Sequence, residues 1–225
     1  MSVDPNIEKF IKDNYLLMEE GDYDEVYRLA LRQDEFEVSA LTQFLWHCDI
    51  HPELEGLTEI PKDFAMELDV KTFHVPQGIT SIGRYAFYGC TSLTSVTIPV
   101  GITSIGNFAF SWCSSLASIT IPASITSIGE HAFWKCATLT TVMILDGVPS
   151  IENAAFAYCD SLTEVTIPAS VTSIGAHAFY RCPSLEKIIF EGTKEQWKAV
   201  DKGSKWRGNA EELKVHCTNG VVKYR

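Results

Sequence analysis

A 23-residue phrase occurs five times between positions 76 and 190, and it constrains the fold more than any other feature of the chain. Three residue types recur at this spacing without slippage. They are phenylalanine at Phe87, Phe110, Phe133, Phe156 and Phe179, cysteine at Cys90, Cys113, Cys136, Cys159 and Cys182, and leucine at Leu93, Leu116, Leu139, Leu162 and Leu185. A period of roughly 20–29 residues is typical of a solenoid in which each coil packs on the next.

Each repeat ends in an alternating segment that predicts one short strand per coil. In the first repeat, Val96 and Ile98 alternate with Ser95 and Thr97, so the strand has one apolar and one polar face. Because every copy has the same phase, equivalent strands can stack in parallel. Ordering one coil costs more free energy than burial of its few apolar side chains provides, so the coils are expected to unfold together.

A degenerate coil precedes the five regular ones, which makes a solenoid of six coils over residues 53–190. Its apolar residues align with those of the first repeat if one residue is skipped between Ile60 and Phe64. The aligned pairs are Leu57 with Ile79, Ile60 with Ile82, Phe64 with Phe87, Val70 with Leu93, Phe73 with Val96 and Val75 with Ile98. The coil that begins at Leu145 is expected to be irregular, because Glu152 replaces the glycine of its neighbours.

The two ends of the chain predict structures that cover the apolar ends of the solenoid. Residues 191–225 predict a cap that consists of a short helix and a hairpin. A capping box from Thr193 to Gln196 begins the helix, Asn219-Gly220 forms the hairpin turn, and Trp197 and Trp206 cover the last coil. Residues 1–52 predict three short amphipathic helices.

The N-terminal part also carries the acidity of the protein. The net charge is −11, and residues 1–75 contribute 18 acidic and 6 basic side chains, or −12. The acidic side chains predicted to be exposed are Glu19, Glu20, Asp22, Asp24, Glu25, Asp34, Glu35 and Glu37. They form either a solvated face or a surface for a basic protein partner, and direct nucleic-acid binding is disfavoured.

The composition predicts a cytoplasmic protein that needs no cofactor. No run of 18 apolar residues is present, and the first ten residues lack the pattern of a secretory signal. Catalytic motifs such as G-x-S-x-G, the Walker loop and C-x-x-C are missing, so no enzymatic activity is expected. His47, Cys48 and His51 are grouped as in a metal site, but they lack a third firm ligand, so no metal is expected. His131 and His177 occupy equivalent outward positions and are predicted to be surface residues.

The cysteine column leaves two alternatives. Adjacent strands of a sheet are close enough for disulfides between coils, but five residues in one column cannot pair completely. The favoured interpretation is a column of small apolar thiols in a reducing compartment.

The phrase ITSIGxxAFxxCxSLxxVTIP resembles the BspA-type bacterial leucine-rich repeat, and the tail FEGTKEQWKAV is similar to the closing segment of that family. The resemblance covers about residues 57–220. It implies a right-handed, curved leucine-rich-repeat solenoid without enzymatic activity, which presents an adhesion or protein-binding surface in bacteria or their phages.

Two surfaces are candidates for binding a protein partner. The first, the aromatic ridge, lies two or one residues before each cysteine of the column and comprises Tyr88, Trp112, Trp134, Tyr158 and Tyr180. The second, the strand face, is the outward side of the strands and includes Thr97, Thr120, Met143, Thr166 and Ile189. Exposed Trp and Tyr are enriched in interface hot spots, but the same rings could instead pad the turn and stack on one another.

The function predicted from these features is a rigid, non-enzymatic protein–protein interaction module that is a monomer or a weak oligomer. The alternative is a blocking protein of a phage or mobile element. In that case the acidic N-terminal domain would occupy a basic nucleic-acid-binding site on a host enzyme.

Overall fold

The computed structural model describes residues 57–65, 70–76, 78–208, 210 and 212–224. All of them belong to one of the two units into which the chain divides, Gly56–Arg225. The helices, the acidic surface and the His47 group predicted in residues 1–52 lie outside the described residues.

The solenoid is built on two stacks of parallel strands. The first stack is a seven-stranded sheet of two-residue strands that pair in chain order. Its strands are β1 (Glu59–Ile60), β3 (Ser81–Ile82), β5 (Ser104–Ile105), β7 (Ser127–Ile128), β9 (Ser150–Ile151), β11 (Ser173–Ile174) and β13 (Asp201–Lys202). The sequence predicted one strand per coil, and this second strand was missed because two residues are too short to show alternation.

The second stack contains the predicted strands. It consists of a two-stranded sheet, β2 (Thr72–His74) with β4 (Ser95–Thr97), and a six-stranded sheet. The six strands are β6 (Ser118–Ile121), β8 (Thr141–Ile144), β10 (Glu164–Ile167), β12 (Lys187–Phe190), β14 (Lys214–Cys217) and β15 (Gly220–Lys223). The register keeps the repeat in phase, since Val165 pairs with Val142 on one side and with Ile188 on the other.

The phenylalanine column forms the centre of the apolar interior, as predicted. All five rings are fully buried, and each lies almost parallel to the next. The ring centroids of Phe87 and Phe110 are 5.0 Å apart with an interplanar angle of 1°, and those of Phe133 and Phe156 are 5.2 Å apart at 4°. The column therefore buries on both flanks an apolar side chain that a single coil would leave exposed.

The cysteine column consists of five buried free thiols, which confirms the thiol interpretation over disulfides between coils. Each thiol donates a hydrogen bond to a main-chain carbonyl of the preceding coil. The Sγ atom of Cys136, for example, lies 3.2 Å from the carbonyl oxygen of Phe110. Burial raises the pKa of Cys136 to about 12, and it also raises the pKa values of Cys113 and Cys159. These thiols are therefore internal hydrogen-bond donors rather than nucleophiles.

The degenerate first coil has the predicted strands but a different alignment between them. Ile60 pairs with Ile82 and Phe73 pairs with Val96, as expected. The alignment of Phe64 with Phe87 was wrong.

Ala65, not Phe64, holds the phenylalanine-column position of that coil. The carbonyl oxygen of Ala65 accepts the thiol hydrogen bond of Cys90, as the carbonyl of Phe87 accepts that of Cys113. The volume missing at Ala65 is supplied from the strand, because the ring of Phe73 lies 4.7 Å from the ring of Phe87. The skipped residue therefore falls after Ala65.

The coil that begins at Leu145 is irregular, as predicted. Strands β7 and β9 share only the pair Ile128 with Ile151, whereas the neighbouring short strands share two pairs. The missing pair would be at Ser150, next to Pro149, and proline has no N–H to donate. At the equivalent positions of other coils, Thr103, Thr126 and Thr172 each donate to a carbonyl of the preceding coil. The coil also has Glu152 where its neighbours have a glycine that lies against the backbone of the preceding coil.

The C-terminal residues continue the solenoid before they close it. Strand β13 extends the short-stranded sheet and β14 extends the long one, so the solenoid has about seven coils rather than the six predicted. Helix α1 (Lys194–Ala199) has the predicted capping box: Gln196 N donates to Thr193 Oγ1, and Thr193 N donates to Gln196 Oε1. Strands β14 and β15 then form the predicted antiparallel hairpin.

Two tryptophans complete the apolar interior at this end. Trp197 is fully buried and its ring lies 5.1 Å from that of Phe190. Trp206 is buried as well, with its ring 6.4 Å from that of Phe179. Both cover the last regular coil, as the sequence predicted.

Candidate functional site

The aromatic ridge is formed by one ring per coil, but the ring alternates between two adjacent positions. Tyr88, Trp134 and Tyr180 stand two residues before the cysteine, whereas Trp112 and Tyr158 stand one residue before it. Where the ring is at the later position, the earlier one holds a small residue, Ser111 or Ala157. Where the ring is at the earlier position, the later one holds Gly89, Lys135 or Arg181.

This alternation places successive rings edge to face. The ring centroids of Trp112 and Trp134 are 5.6 Å apart at 77°, those of Trp134 and Tyr158 are 5.7 Å apart at 73°, and those of Tyr158 and Tyr180 are 5.8 Å apart at 74°. Edge-to-face contact is a favoured geometry for aromatic pairs. Tyr88 contacts Tyr85 of its own coil at 5.5 Å. The ridge is thus a continuous row over four coils, and its rings do contact one another.

The ridge rings are packed but not enclosed. Trp112 is 39% exposed, and the other four rings are half-buried. The Nζ atom of Lys135 lies 3.9 Å from the ring centroid of Trp112 and 4.5 Å from that of Trp134. The guanidinium carbon of Arg181 lies 5.6 Å from the Tyr158 ring. These cation–π contacts fix two positive charges on the ridge.

A second column of side chains runs beside the ridge, three residues before its earlier position. It consists of Tyr85, Phe108, His131, Ala154 and His177, and we call it the outer ring column. Every member has a left-handed backbone, with φ between 51° and 59°. The rings of Tyr85 and Phe108 stack at 5.1 Å, and those of Phe108 and His131 stack at 4.7 Å and 8°.

The two histidines of this column lie on the outside of the solenoid, as predicted, but neither is fully exposed. Both are half-buried between neighbouring side chains. The Nδ1 atom of His131 is buried and has no hydrogen-bond partner among the described residues. His131 therefore acts in this column as a flat ring that stacks on Phe108 rather than as a hydrogen-bonding group.

A cavity of about 360 Å³ opens where the outer ring column is interrupted at Ala154. Its lining combines rings from both columns with small residues. The lining residues are His131, Trp134, Asn153, Ala154, Ala157, Tyr158, Ala176, His177 and Tyr180. Sequence reasoning missed this cavity, although the loss of both side chains at Ala154 and Ala157 was visible in the alignment of the repeats.

The strand face is flatter than the ridge and less aromatic. Thr97, Thr120 and Met143 are exposed, and Met143 is the most prominent apolar side chain there at 48% exposure. Thr166 and Ile189 are half-buried. An ion pair of 2.7 Å between Lys187 and Glu164 bridges two strands, and its partial exposure limits its contribution to stability.

Comparison with known proteins identifies the family of this chain. The family model described as BspA type leucine-rich repeat region matches six copies across residues 58–186. The chain belongs to the BspA-type leucine-rich repeat family. Leucine-rich repeat proteins are generally non-enzymatic binding modules, so the family favours protein interaction as the role of the exposed surfaces.

Solved structures of bacterial leucine-rich repeat proteins have the same fold. The leucine-rich repeat protein of T. pallidum is 27% identical with a TM-score of 0.61, over 72% of this chain and 77% of that one. A leucine-rich repeat protein from Eubacterium ventriosum is 23% identical (TM-score 0.56), and the pneumococcal vaccine antigen PcpA is 25% identical (TM-score 0.51). These matches cover 61% and 60% of this chain but only 38% and 34% of the respective relatives. None of the curated proteins compared with the chain matches it.

Two further features bear on the kinds of site available. In the described part of the chain, no cluster of three or more histidine, cysteine or acidic side chains is arranged to hold a metal ion. Among the same residues, no helix is long and apolar enough to cross a bilayer.

Proposed function

We propose that this protein is a non-enzymatic interaction module that binds a protein partner through the aromatic ridge. The observation that carries the proposal is the continuous edge-to-face row from Trp112 to Tyr180, which remains open to solvent. Tryptophan and tyrosine provide large contact areas and are enriched among the residues that dominate binding energy. The family, whose members are generally binding modules, supports the same role.

The backbone beneath the ridge is held in place before any partner binds. Trp112 N donates to the carbonyl of Trp134 at 2.8 Å, and Tyr158 N donates to the carbonyl of Tyr180 at 2.8 Å. Lys135 N donates to the carbonyl of Ala157 at 2.9 Å. Because the ridge residues are fixed by hydrogen bonds between coils, binding would order few new groups, which favours affinity.

The strand face is the weaker candidate for the same role. Its threonines are small, and the charges of Lys187 and Glu164 are paired with each other across two strands of the sheet. It therefore offers a partner few anchors beyond Met143. The blocking-protein alternative depends on the acidic residues of positions 1–52, outside the described residues, and no described contact favours it.

Affinity capture with two matched double variants tests the proposal. Trp112→Ala with Trp134→Ala removes two ridge rings, and Thr120→Lys with Met143→Lys adds charge to the strand face. We expect proteins captured from a bacterial lysate by the unmodified chain to be lost with the ridge variant and retained with the strand-face variant. Quantitative mass spectrometry of the captured material measures both.

The melting temperature of the ridge variant is the control for folding. A ridge variant that melts close to the unmodified protein and captures nothing supports the proposal. Loss of capture only in the strand-face variant would contradict it and assign binding to the strands. A large fall in the melting temperature of the ridge variant would show that the rings are structural.

A further inference from the structure

The interruption at Ala154 leaves a gap of defined size in a row of stacked rings. Phe108 covers one face of the His131 ring at 4.7 Å, and the next member of the column in the direction of the other face is the methyl group of Ala154. Beyond it stands His177, two coils from His131. Since adjacent strands are about 4.8 Å apart, the planes at positions 131 and 177 are separated by about 10 Å.

One flat ring fits that gap. A ring halfway between the two imidazoles would lie about 5 Å from each, within the range of roughly 4.5–7 Å that aromatic pairs favour. The equivalent contacts inside the column, at 5.1 and 4.7 Å, show that the spacing of the coils suits stacked rings. The cavity of about 360 Å³ is at the small end of ligand pockets and suits a single side chain.

Two positively charged side chains near the gap favour a ligand that carries negative charge. Two cations lie near Tyr158, which lines the cavity: the Lys135 ammonium at 5.9 Å and the Arg181 guanidinium at 5.6 Å from its ring centroid. Neither forms an ion pair with a carboxylate in the part of the chain that the structure describes. The nearby carboxylate of Glu130 already accepts a hydrogen bond of 2.9 Å from the Asn153 side chain.

From these observations we infer that the cavity at Ala154 binds one aromatic side chain of an acidic segment of the protein partner, with its ring between His131 and His177. This inference rests on the proposed function, because it specifies how the partner is recognised beside the ridge. The ring completes the interrupted outer ring column. Carboxylates that flank it in the partner pair with Lys135 and Arg181.

The cavity can be closed by copying residues from neighbouring coils. Ala154→Phe introduces the residue found at the equivalent position 108, and Ala154→His introduces the residue found at position 131. The backbone φ angle is 58° at Phe108, 56° at His131 and 51° at Ala154, so the backbone at position 154 suits both side chains. The two variants should therefore fold with the gap filled. Ala169→Phe is the matched control, because Ala169 is exposed and does not line the cavity.

The probe is a nonapeptide of serine and glutamate with a central tyrosine, titrated into the full chain. We expect the tyrosine peptide, and a tryptophan version, to shift the imidazole resonances of both His131 and His177 in NMR spectra. Versions with central leucine or alanine, and a version with lysine in place of glutamate, should bind at least about tenfold more weakly. Ala154→Phe and Ala154→His should lower the affinity for the tyrosine peptide by a similar factor, and Ala169→Phe should leave this affinity unchanged.

Several results would overturn the inference. One is a tyrosine peptide that moves neither imidazole at millimolar concentration, and another is undiminished binding to both Ala154 variants. If the lysine version of the peptide binds as tightly as the glutamate version, the inference that the partner segment is acidic is wrong. Equal binding of N-acetyl-tyrosinamide would assign the cavity to a free aromatic compound instead of a protein segment.

Failure of this inference is distinguishable from failure of the proposed function. Trp112 belongs to the ridge but does not line the cavity. If Trp112→Ala abolishes capture of a partner while Ala154→Phe does not, the ridge binds and the cavity inference is wrong. If capture survives Ala154→Phe and also the double variant Trp112→Ala with Trp134→Ala, both are wrong.

Discussion

The phenylalanine column and the aromatic ridge are two rows with one ring in each 23-residue coil, yet they differ in spacing, composition, geometry and burial. Inside, five identical residues stack almost parallel, at 1° to 7°, and are fully buried. Outside, tryptophan and tyrosine alternate between two positions and meet at 73° to 77°. Among the described residues, cations lie over the outer rings and none lies over an inner ring.

The difference shows what each environment demands of a residue. An interior position is surrounded by equivalent atoms in every coil, so the same side chain packs well at that position in each coil. An exterior position faces solvent on one side and tolerates several residue types. The uniform column therefore indicates a role in stability, whereas the varied column with open faces is free of that packing constraint, which is compatible with the binding role that we propose for it.

Truncation of one inner ring should have the largest effect. Phe133→Ala removes a fully buried ring that stacks on Phe110 and Phe156. We expect a loss of about 3–5 kcal/mol in the free energy of unfolding, because a cavity opens in the middle of the stack. Chemical denaturation measures it, with Tyr158→Ala on the ridge as the control. A smaller loss at Phe133 than at Tyr158 would contradict the comparison.

The repeated part of the fold could be predicted from the sequence, because a residue type that recurs at the same position in every coil indicates that its surroundings are the same in every coil. The phenylalanine stack, the cysteine column and the parallel strands followed from period and alternation, and the closing hairpin followed from the turn signal at Asn219-Gly220. The strands of the type Ser81–Ile82 did not, since two residues carry no detectable alternation. The position of Phe64 was also wrong, because matching by residue type cannot show that Phe73 supplies the volume missing at Ala65.

The cysteine column should have an intermediate effect that depends on pH. Cys136→Ala should lower the free energy of unfolding by about 1–3 kcal/mol near neutral pH, since a buried side chain and its hydrogen bond to Phe110 are lost. The pKa of the thiol is about 12 in the folded protein, against 9.0 for an ordinary thiol. Between these values the unfolded chain releases a proton that the folded chain keeps.

The unmodified protein should therefore lose stability as the pH rises above about 9, by up to about 1.4 kcal/mol per pH unit for each such thiol. The variant lacks one of these thiols, so its deficit should shrink between pH 9 and 11. Denaturation curves at pH 7, 9, 10 and 11 give the comparison. A deficit that stays constant over this range would show that Cys136 titrates normally in the folded state.

The candidate site was only partly accessible from the sequence. The ridge was found because Trp and Tyr recur one or two residues before each cysteine, but their edge-to-face contact was not, because residue types do not show how the rings are oriented. The cavity arises at two alanines, Ala154 and Ala157, which stand out only when the repeats are compared position by position. The outward positions of His131 and His177 followed from periodicity, but their contacts with neighbouring rings did not, because periodicity does not show which side chains lie beside a residue.

Removal of a ridge cation should have the smallest effect on stability. Lys135→Met keeps the aliphatic part of the side chain between Trp112 and Trp134 but removes the charge that contacts both rings. Because the ridge is open to solvent, we expect a loss of about 0.5–1 kcal/mol. Thermal unfolding of the variant beside Arg181→Met, which removes the other cation, measures it. A loss as large as that of Phe133→Ala would mean that the cation and its rings hold the coils together, which would make the ridge a second core rather than a binding surface.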